Sequence, residues 1–121
     1  MPRVLVITNP AAARTTPKTV REVRDVLHRG GWEAEIVATG GPGDARRLAS
    51  EAVVAGMDAV AVFGGDGTTM QAASSMVGTD VALALIPGGT GNLLAGNLRI
   101  PAVPQRAAEL LVRGISRRLD L

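Results

Sequence analysis

Four apolar runs alternate with amphipathic segments along this chain, and the alternation constrains its fold more than any other feature. Val4–Ile7 is continuously apolar, as a strand buried on both faces requires. Further strands are predicted at Trp32–Ala38, Asp58–Phe63 and Val81–Ile86. Because strands that alternate with helices form parallel sheets covered on both faces, we predict an α/β fold with three α/β/α layers.

The segments between these strands contain local helix signals. Thr16 is suited to an N-cap and Pro17 to the first position of a helix that Gly30 ends. Asp44 is predicted to cap a second helix, and a third is predicted from Thr68 to about residue 77. The remaining predicted elements are a short helix over 91–97, a helix over 103–114 and the start of a strand over 116–121.

Residues 63–69 read Phe-Gly-Gly-Asp-Gly-Thr-Thr and join the third strand to the third helix. A glycine turn between a strand and a helix presents backbone N–H groups to phosphate. A carboxylate at the centre of such a loop does not help to bind an anion. Asp66 therefore suggests catalysis or a metal ion as well as binding, with a helix cap as the alternative role.

A second glycine loop, Pro-Gly-Gly-Thr-Gly-Asn at residues 87–92, follows the fourth predicted strand. Its glycines allow a ligand to approach the backbone, Thr90 can cap the next helix, and Asn92 offers a donor and an acceptor. Neither loop has the sequence of a Walker A motif or of a dinucleotide fingerprint after the first strand. Because the carboxyl ends of parallel strands share one edge, the loops predict a single polar cleft.

Composition narrows the possible partners of this 121-residue chain. Its length suits one domain, and the absence of cysteine excludes disulfides and thiolate metal sites. The net charge is only +2, without a dense basic run, and the aromatic residues are Phe63 and Trp32, so nucleic-acid binding by base stacking is not expected. No apolar run reaches the about 18 residues of a membrane span, and we expect a cytoplasmic protein.

The two loops together resemble the catalytic-domain signature of the diacylglycerol kinase and bacterial lipid kinase family. Asn9-Pro10 after the first strand and Thr39 before Gly43-Asp44-Ala45 also fit its pattern. The resemblance covers nearly the whole chain and implies a fold similar to the N-terminal domain of NAD kinases and diacylglycerol kinases. It implies transfer of the γ-phosphate of ATP, with Mg²⁺, to the hydroxyl of diacylglycerol or a related lipid alcohol at the membrane surface.

The resemblance further implies that residues 1–121 form the nucleotide-binding half of a two-domain enzyme, and that without the β-rich second domain the chain is inactive. Asp66 would be either the base for the attacking hydroxyl or a residue that orients magnesium at the phosphates; the metal ligands stay unassigned. Met70-Gln71 stand where many members have Asn-Glu, and Ala11–Ala13 replace a loop with serine and glycine. The residues implied for the nucleotide site are Asn9, Thr39, Gly64, Gly65, Asp66, Gly67, Thr68, Thr69, Met70, Gly88, Gly89, Thr90 and Asn92.

Other functions stay open from the sequence. A relative of NAD kinase or phosphofructokinase would share the Gly-Gly-Asp-Gly turn but generally lacks the second loop. A nucleotide-binding module without catalysis would keep both loops. The residues also do not decide which lipid is the acceptor, whether the protein is a homodimer, or whether it is peripheral at the inner face of the membrane.

Overall fold

The structure is a computed structural model that describes residues 1–12, 15–41, 43–88 and 103–113. Within these ranges the strands are β1 (Arg3–Thr8), β2 (Glu33–Ala38), β3 (Ala59–Gly64) and β4 (Ala82–Pro87). The helices are α1 (Pro17–Arg29), α2 (Asp44–Val54), α3 (Asp66–Met76) and α4 (Pro104–Val112). The predicted helix over 91–97 and the predicted strand over 116–121 lie outside the described residues.

The described strands form one parallel sheet in the order β2-β1-β3-β4. The chain passes from β1 to β2 on one side and then returns to place β3 on the other side of β1. The strand order therefore reverses at β1, and such a reversal opens a crevice outside the carboxyl ends of the strands. This topology places a ligand site beside the ends of β1 and β3.

Two apolar clusters, one on each face of the sheet, give the domain its three layers. Val4, Val6 and Phe63 are buried together with residues of α1 and α4. Leu5 and Ile7 are buried on the opposite face with residues of α2 and α3. Successive residues of β1 thus enter opposite clusters, as the pleat of a strand requires. The predicted α/β class with a covered parallel sheet is confirmed.

The first helix forms as its sequence signals predict. Thr16 is the N-cap, and its hydroxyl oxygen accepts the backbone N–H of Thr19 at 3.2 Å. Pro17 is the first helical residue, and Val23 and Leu27 are fully buried. A cap of this kind stabilises a helix by about 1 kcal/mol, and the buried stripe fixes α1 against the sheet. None of the described helices has the length and apolarity to cross a membrane.

Two predicted helix starts are wrong by one or two residues. Asp44 is not the cap of α2 but its first helical residue; Gly43 is the N-cap, with a φ of 84°. The helix α3 starts at Asp66 rather than at Thr68, and its N-cap is Gly65. In both cases a glycine takes the cap position and an acid follows it in the first turn, where the helix dipole stabilises a carboxylate.

Candidate functional site

A cleft of about 400 Å³ opens at the carboxyl edge of the sheet, beside the reversal in strand order. Its walls are the β1–α1 loop, the β2–α2 loop and the first two turns of α3. Small-molecule sites typically enclose roughly 300–1,000 Å³, so the cleft can hold part of a nucleotide-sized ligand. The described residues that line it are uncharged: Asn9, Pro10, Ala11, Thr39, Gly40, Gly41, Thr68 and Gln71.

Asn9 connects the β1–α1 loop to its neighbours on two sides. Its backbone N–H donates to the carbonyl oxygen of Phe63 at 3.1 Å, which continues the contact between β1 and β3 past the strand end. Its Oδ1 accepts the N–H of Ala11 at 3.0 Å, and its Nδ2 donates to Oγ1 of Thr68 at 3.4 Å. The last hydrogen bond is long and weak, but it brings Asn9 and Thr68 to one wall of the cleft.

The β2–α2 loop forms another wall. The N–H of Thr39 donates to the carbonyl oxygen of Thr8 at 2.8 Å and extends the pairing of β1 with β2 by one residue. The N–H of Gly40 donates to Oδ2 of Asp44 at 2.6 Å. The carboxylate of Asp44 therefore holds this loop against the first turn of α2, which accounts for the acid at that position without a catalytic role.

The first glycine loop passes directly from β3 into α3. Gly64 is buried, and a Cβ at this position would lie 3.3 Å from Cβ of Asn9. Asp66 is half-buried in the first turn of α3, and the hydroxyl of the buried Thr69 donates to the carbonyl oxygen of Gly65 at 3.0 Å. The first N–H groups of a helix have no acceptor within the helix, so the start of α3 offers donors to an anion.

The second glycine loop touches the first through its backbone. The N–H of Gly88 donates to the carbonyl oxygen of Gly64 at 3.0 Å. A Cβ on Gly88 would lie 3.0 Å from both Cα and N of Gly64 and 2.9 Å from Cγ2 of Thr15. The two loops therefore meet at one edge of the sheet, as the sequence predicts. Gly89, Thr90 and Asn92 lie outside the described residues.

The structure brings three of the predicted nucleotide-site residues to the lining of the cleft, namely Asn9, Thr39 and Thr68. Met70 does not line it and is 45% exposed on α3. Gln71 does line it, although the sequence singled this residue out only as a departure from the family pattern. Its spacing of three from Thr68 is the signal that could have found it, because residues i and i+3 share one face of a helix.

Residues 3–121 match the family model of the diacylglycerol kinase catalytic domain. The chain belongs to this family. Its curated relatives include the diacylglycerol kinase of Mycobacterium tuberculosis, which is 38% identical over 125 residues that cover 98% of this chain and 39% of the relative. A Pseudomonas putida protein named "Probable lipid kinase YegS-like" is 39% identical over 94 residues, or 76% of this chain and 32% of the relative.

The solved structure of a diacylglycerol kinase from Bacillus anthracis is similar to this domain, with a TM-score of 0.82 and 29% sequence identity. The match covers 93% of this chain and 40% of that one. The chain thus spans about two fifths of the length of the Mycobacterium and Bacillus relatives. The family predicted from the two glycine loops is confirmed, together with its fold.

Proposed function

We propose that this diacylglycerol kinase-family domain binds ATP and supplies the nucleotide site of a lipid kinase. The enzyme would transfer the γ-phosphate to the hydroxyl of diacylglycerol or a related lipid alcohol. The observation that supports this most is the contact of the two glycine loops, through Gly64 and Gly88, at the sheet edge that carries the cleft. Family membership supports the kinase chemistry, and the names of the relatives support a lipid acceptor.

The chemistry of the cleft suits a nucleoside beside a phosphate chain. Thr39, Thr68 and Gln71 offer hydroxyl and amide groups that can hydrogen-bond to sugar and base. Phosphates would lie at the N-terminus of α3, where backbone N–H groups and the helix dipole favour negative charge. Outside the helix backbone, a Cβ on Gly67 would meet no atom of the described residues within 4 Å, so this first turn has open space beside it.

Asp66 fits a place on the magnesium side of the phosphates. Within the described ranges no group of three or more His, Cys, Asp or Glu side chains is placed to hold a metal ion. Mg²⁺ does not require such a group, because it usually binds one or two carboxylates together with substrate phosphates and water. Asp66 would hold or orient the ion from the first turn of α3. A bound Mg²⁺ would supply charge neutralisation at the phosphates, which phosphoryl transfer requires.

The acceptor lipid would be bound by the part of such an enzyme that lies outside the matched region. The region that this chain matches covers only about two fifths of the Mycobacterium and Bacillus relatives, which leaves most of each relative available for the acceptor site. We therefore expect the 121-residue chain to bind ATP but to phosphorylate no lipid on its own. Radiolabelled product from diacylglycerol vesicles and this chain alone would show that the acceptor site lies within residues 1–121.

Amide chemical shifts during a titration with Mg-ATP test the proposed nucleotide site. We expect shifts at Asn9, Thr39, Gly64–Gln71 and Thr90. Inorganic triphosphate with Mg²⁺ is the matched control, because it should shift the amides of the glycine loops but not those of Thr39 and Gln71. Shifts confined to residues away from the sheet edge that carries the cleft would contradict the proposal.

A further inference from the structure

Thr15 lies where the β1–α1 loop reaches the start of α1, and its hydroxyl closes this loop. Oγ1 of Thr15 lies 2.6 Å from the carbonyl oxygen of Asn9 and 2.9 Å from that of Ala12, so one hydroxyl hydrogen serves two acceptors. The shorter contact is the one to Asn9, six residues earlier in the chain. Residues 10–13 of the loop are proline and alanine and carry no hydroxyl, so Thr15 supplies the hydroxyl that holds it.

Thr15 is not the cap of α1, although it immediately precedes it. The cap is Thr16, whose hydroxyl oxygen accepts the N–H of Thr19 at 3.2 Å. The side chain of Thr16 thus serves the helix, whereas the hydroxyl of Thr15 donates back to the end of β1. Thr15 is half-buried, and Thr16 is exposed. The ordinary use of threonine at a helix start therefore accounts for Thr16 but not for the contact of Thr15 with Asn9.

Asn9 connects Thr15 to the cleft. The carbonyl oxygen of Asn9 accepts the hydroxyl of Thr15 and also the N–H of Ala12, the latter at 3.0 Å. Asn9 itself lines the cleft, and its side chain donates to Oγ1 of Thr68 at 3.4 Å. Because the rotamers open to a side chain depend on backbone φ and ψ, a fixed carbonyl group restricts where the amide of Asn9 can point. Thr15 therefore orients Asn9 in the cleft wall, although Thr15 is not among the described residues that line the cleft.

The methyl group of Thr15 lies against the second glycine loop. A Cβ on Gly88 would lie 2.9 Å from Cγ2 of Thr15, which leaves no room for a side chain at position 88 while that methyl group stays in place. Gly88 is buried and donates its N–H to the carbonyl oxygen of Gly64 at 3.0 Å. Thr15 thus contacts the β1–α1 loop with its hydroxyl and the junction of the glycine loops with its methyl group. One short side chain joins the loops that follow β1, β3 and β4.

We propose that Thr15 is a positioning residue of the nucleotide site, which acts through Asn9 and Gly88 and not by contact with the nucleotide. Its hydroxyl and its methyl group hold the β1–α1 loop and the glycine loops at the spacing that the nucleotide requires before it binds. A site that is ordered in advance loses less conformational entropy on binding, and its affinity is higher for that reason. The choice of ATP as the ligand rests on the proposed function, whereas the joining of the three loops by Thr15 stands without it.

Calorimetric titration of the full chain with Mg-ATP tests this role with two variants that differ by one hydroxyl. Thr15→Ser keeps the donor to Asn9 and Thr15→Ala removes it, while both lack the methyl group. We expect Thr15→Ala to bind Mg-ATP roughly fivefold more weakly than Thr15→Ser, because it lacks one hydrogen bond that orders the site. Thr19→Ala is the matched control, since the hydroxyl of Thr19 donates to the carbonyl oxygen of Thr16 at 3.0 Å within α1. Its affinity should stay within about twofold of wild type.

Amide spectra of the ligand-free variants separate a local effect on the site from a general loss of stability. Between Thr15→Ser and Thr15→Ala we expect the amides of Asn9 and Gly88 to shift. The amide of Gly40, which donates to Asp44 on another wall of the cleft, should stay in place. A shift at Gly40 as large as that at Asn9 would contradict a positioning role.

Far-UV circular dichroism at the titration temperature checks that each variant is folded. If Thr15→Ala is not folded, Thr15→Val replaces it. A methyl carbon in place of a hydroxyl that lies 2.6 Å from the carbonyl oxygen of Asn9 would displace the loop, and affinity should fall at least roughly fivefold below wild type.

The outcomes distinguish this inference from the proposed function. If the wild-type chain binds Mg-ATP, equal affinities of Thr15→Ser and Thr15→Ala, or an equal loss in Thr19→Ala, would overturn this inference alone. A wild-type chain that binds no Mg-ATP would overturn the proposed function and this inference together.

Discussion

Gly88 donates its backbone N–H to the carbonyl oxygen of Gly64 at 3.0 Å, so the loops after β3 and β4 are joined by their main chains where they leave the sheet. A Cβ on Gly88 would lie 3.0 Å from Cα and N of Gly64, and 2.9 Å from Cγ2 of Thr15. Backbone atoms cannot move aside as a flexible side chain can. Steric contacts within the domain therefore favour glycine at position 88, independently of any contact with a ligand.

We expect Gly88→Ala to lower the free energy of unfolding by about 1–3 kcal/mol, because the added methyl group overpacks the junction of the two loops. Urea unfolding followed by circular dichroism measures this change. Gly41→Ala is the matched control, since a Cβ there would meet no atom of the other described residues within 4 Å and its φ is not in the left-handed region. A Gly88→Ala protein as stable as the control would show that the loops are not tightly packed.

Gly67→Ala should raise the stability of the domain, whereas Gly88→Ala should lower it. Gly67 is exposed in the first turn of α3, and a Cβ there would meet no described atom within 4 Å outside the helix backbone. Since alanine favours a helix over glycine, we expect the free energy of unfolding to rise by roughly 0.5–1 kcal/mol. The methyl group would occupy space proposed for phosphate, and we expect Mg-ATP affinity to fall at least about tenfold, or about 1.4 kcal/mol. Unchanged affinity by calorimetry would place the phosphates elsewhere.

The fold is readable from the sequence because its signals are local and agree with one another. The apolar run of β1, the cap at Thr16 and the stripe of Val23 and Leu27 all persist in the structure. The starts of α2 and α3 are less predictable, since aspartate can stabilise a helix either as its cap or from its first turn. Only the backbone geometry of Gly43 and Gly65 decides between the two positions.

The site is readable from the sequence only in part. The glycine loops and Asn9, Thr39 and Thr68 could be predicted, because strand ends share one edge of a parallel sheet. Gln71 could also have been predicted, because it follows Thr68 by three residues and so shares its face of α3. The contact between the two loops depends on the register of β3 against β4, which no local pattern encodes.

Asn9→Asp should separate the structural role of Asn9 from its role toward a ligand. Aspartate keeps an oxygen that accepts the N–H of Ala11, and its second oxygen can accept the hydroxyl of Thr68 in place of the long hydrogen bond that Asn9 donates. We therefore expect the free energy of unfolding to change by less than about 1 kcal/mol. The variant places a negative charge in a cleft whose described lining residues are uncharged, so Mg-ATP affinity should fall about tenfold.

Asn9→Ala is the control for this substitution. It removes the acceptor for Ala11 and should cost about 0.5–1.5 kcal/mol of stability, while adding no charge. We expect its Mg-ATP affinity to exceed that of Asn9→Asp, although its stability is the lower of the two. Equal nucleotide affinities, measured by calorimetry under conditions where both proteins are folded, would mean that the phosphates do not approach Asn9.

Asp66→Asn tests whether the carboxylate in the first turn of α3 acts on the metal side of the phosphates. An acid there stabilises the helix by about 0.3–1 kcal/mol, so the variant should be only slightly less stable. If Asp66 orients Mg²⁺, the variant should bind Mg-ATP more weakly than wild type. It should bind ATP in EDTA more tightly, because a carboxylate repels unshielded phosphate. Calorimetry with and without Mg²⁺ measures both affinities. An equal effect of Mg²⁺ on the two proteins would show that the acid at position 66 acts within the domain and not on the metal.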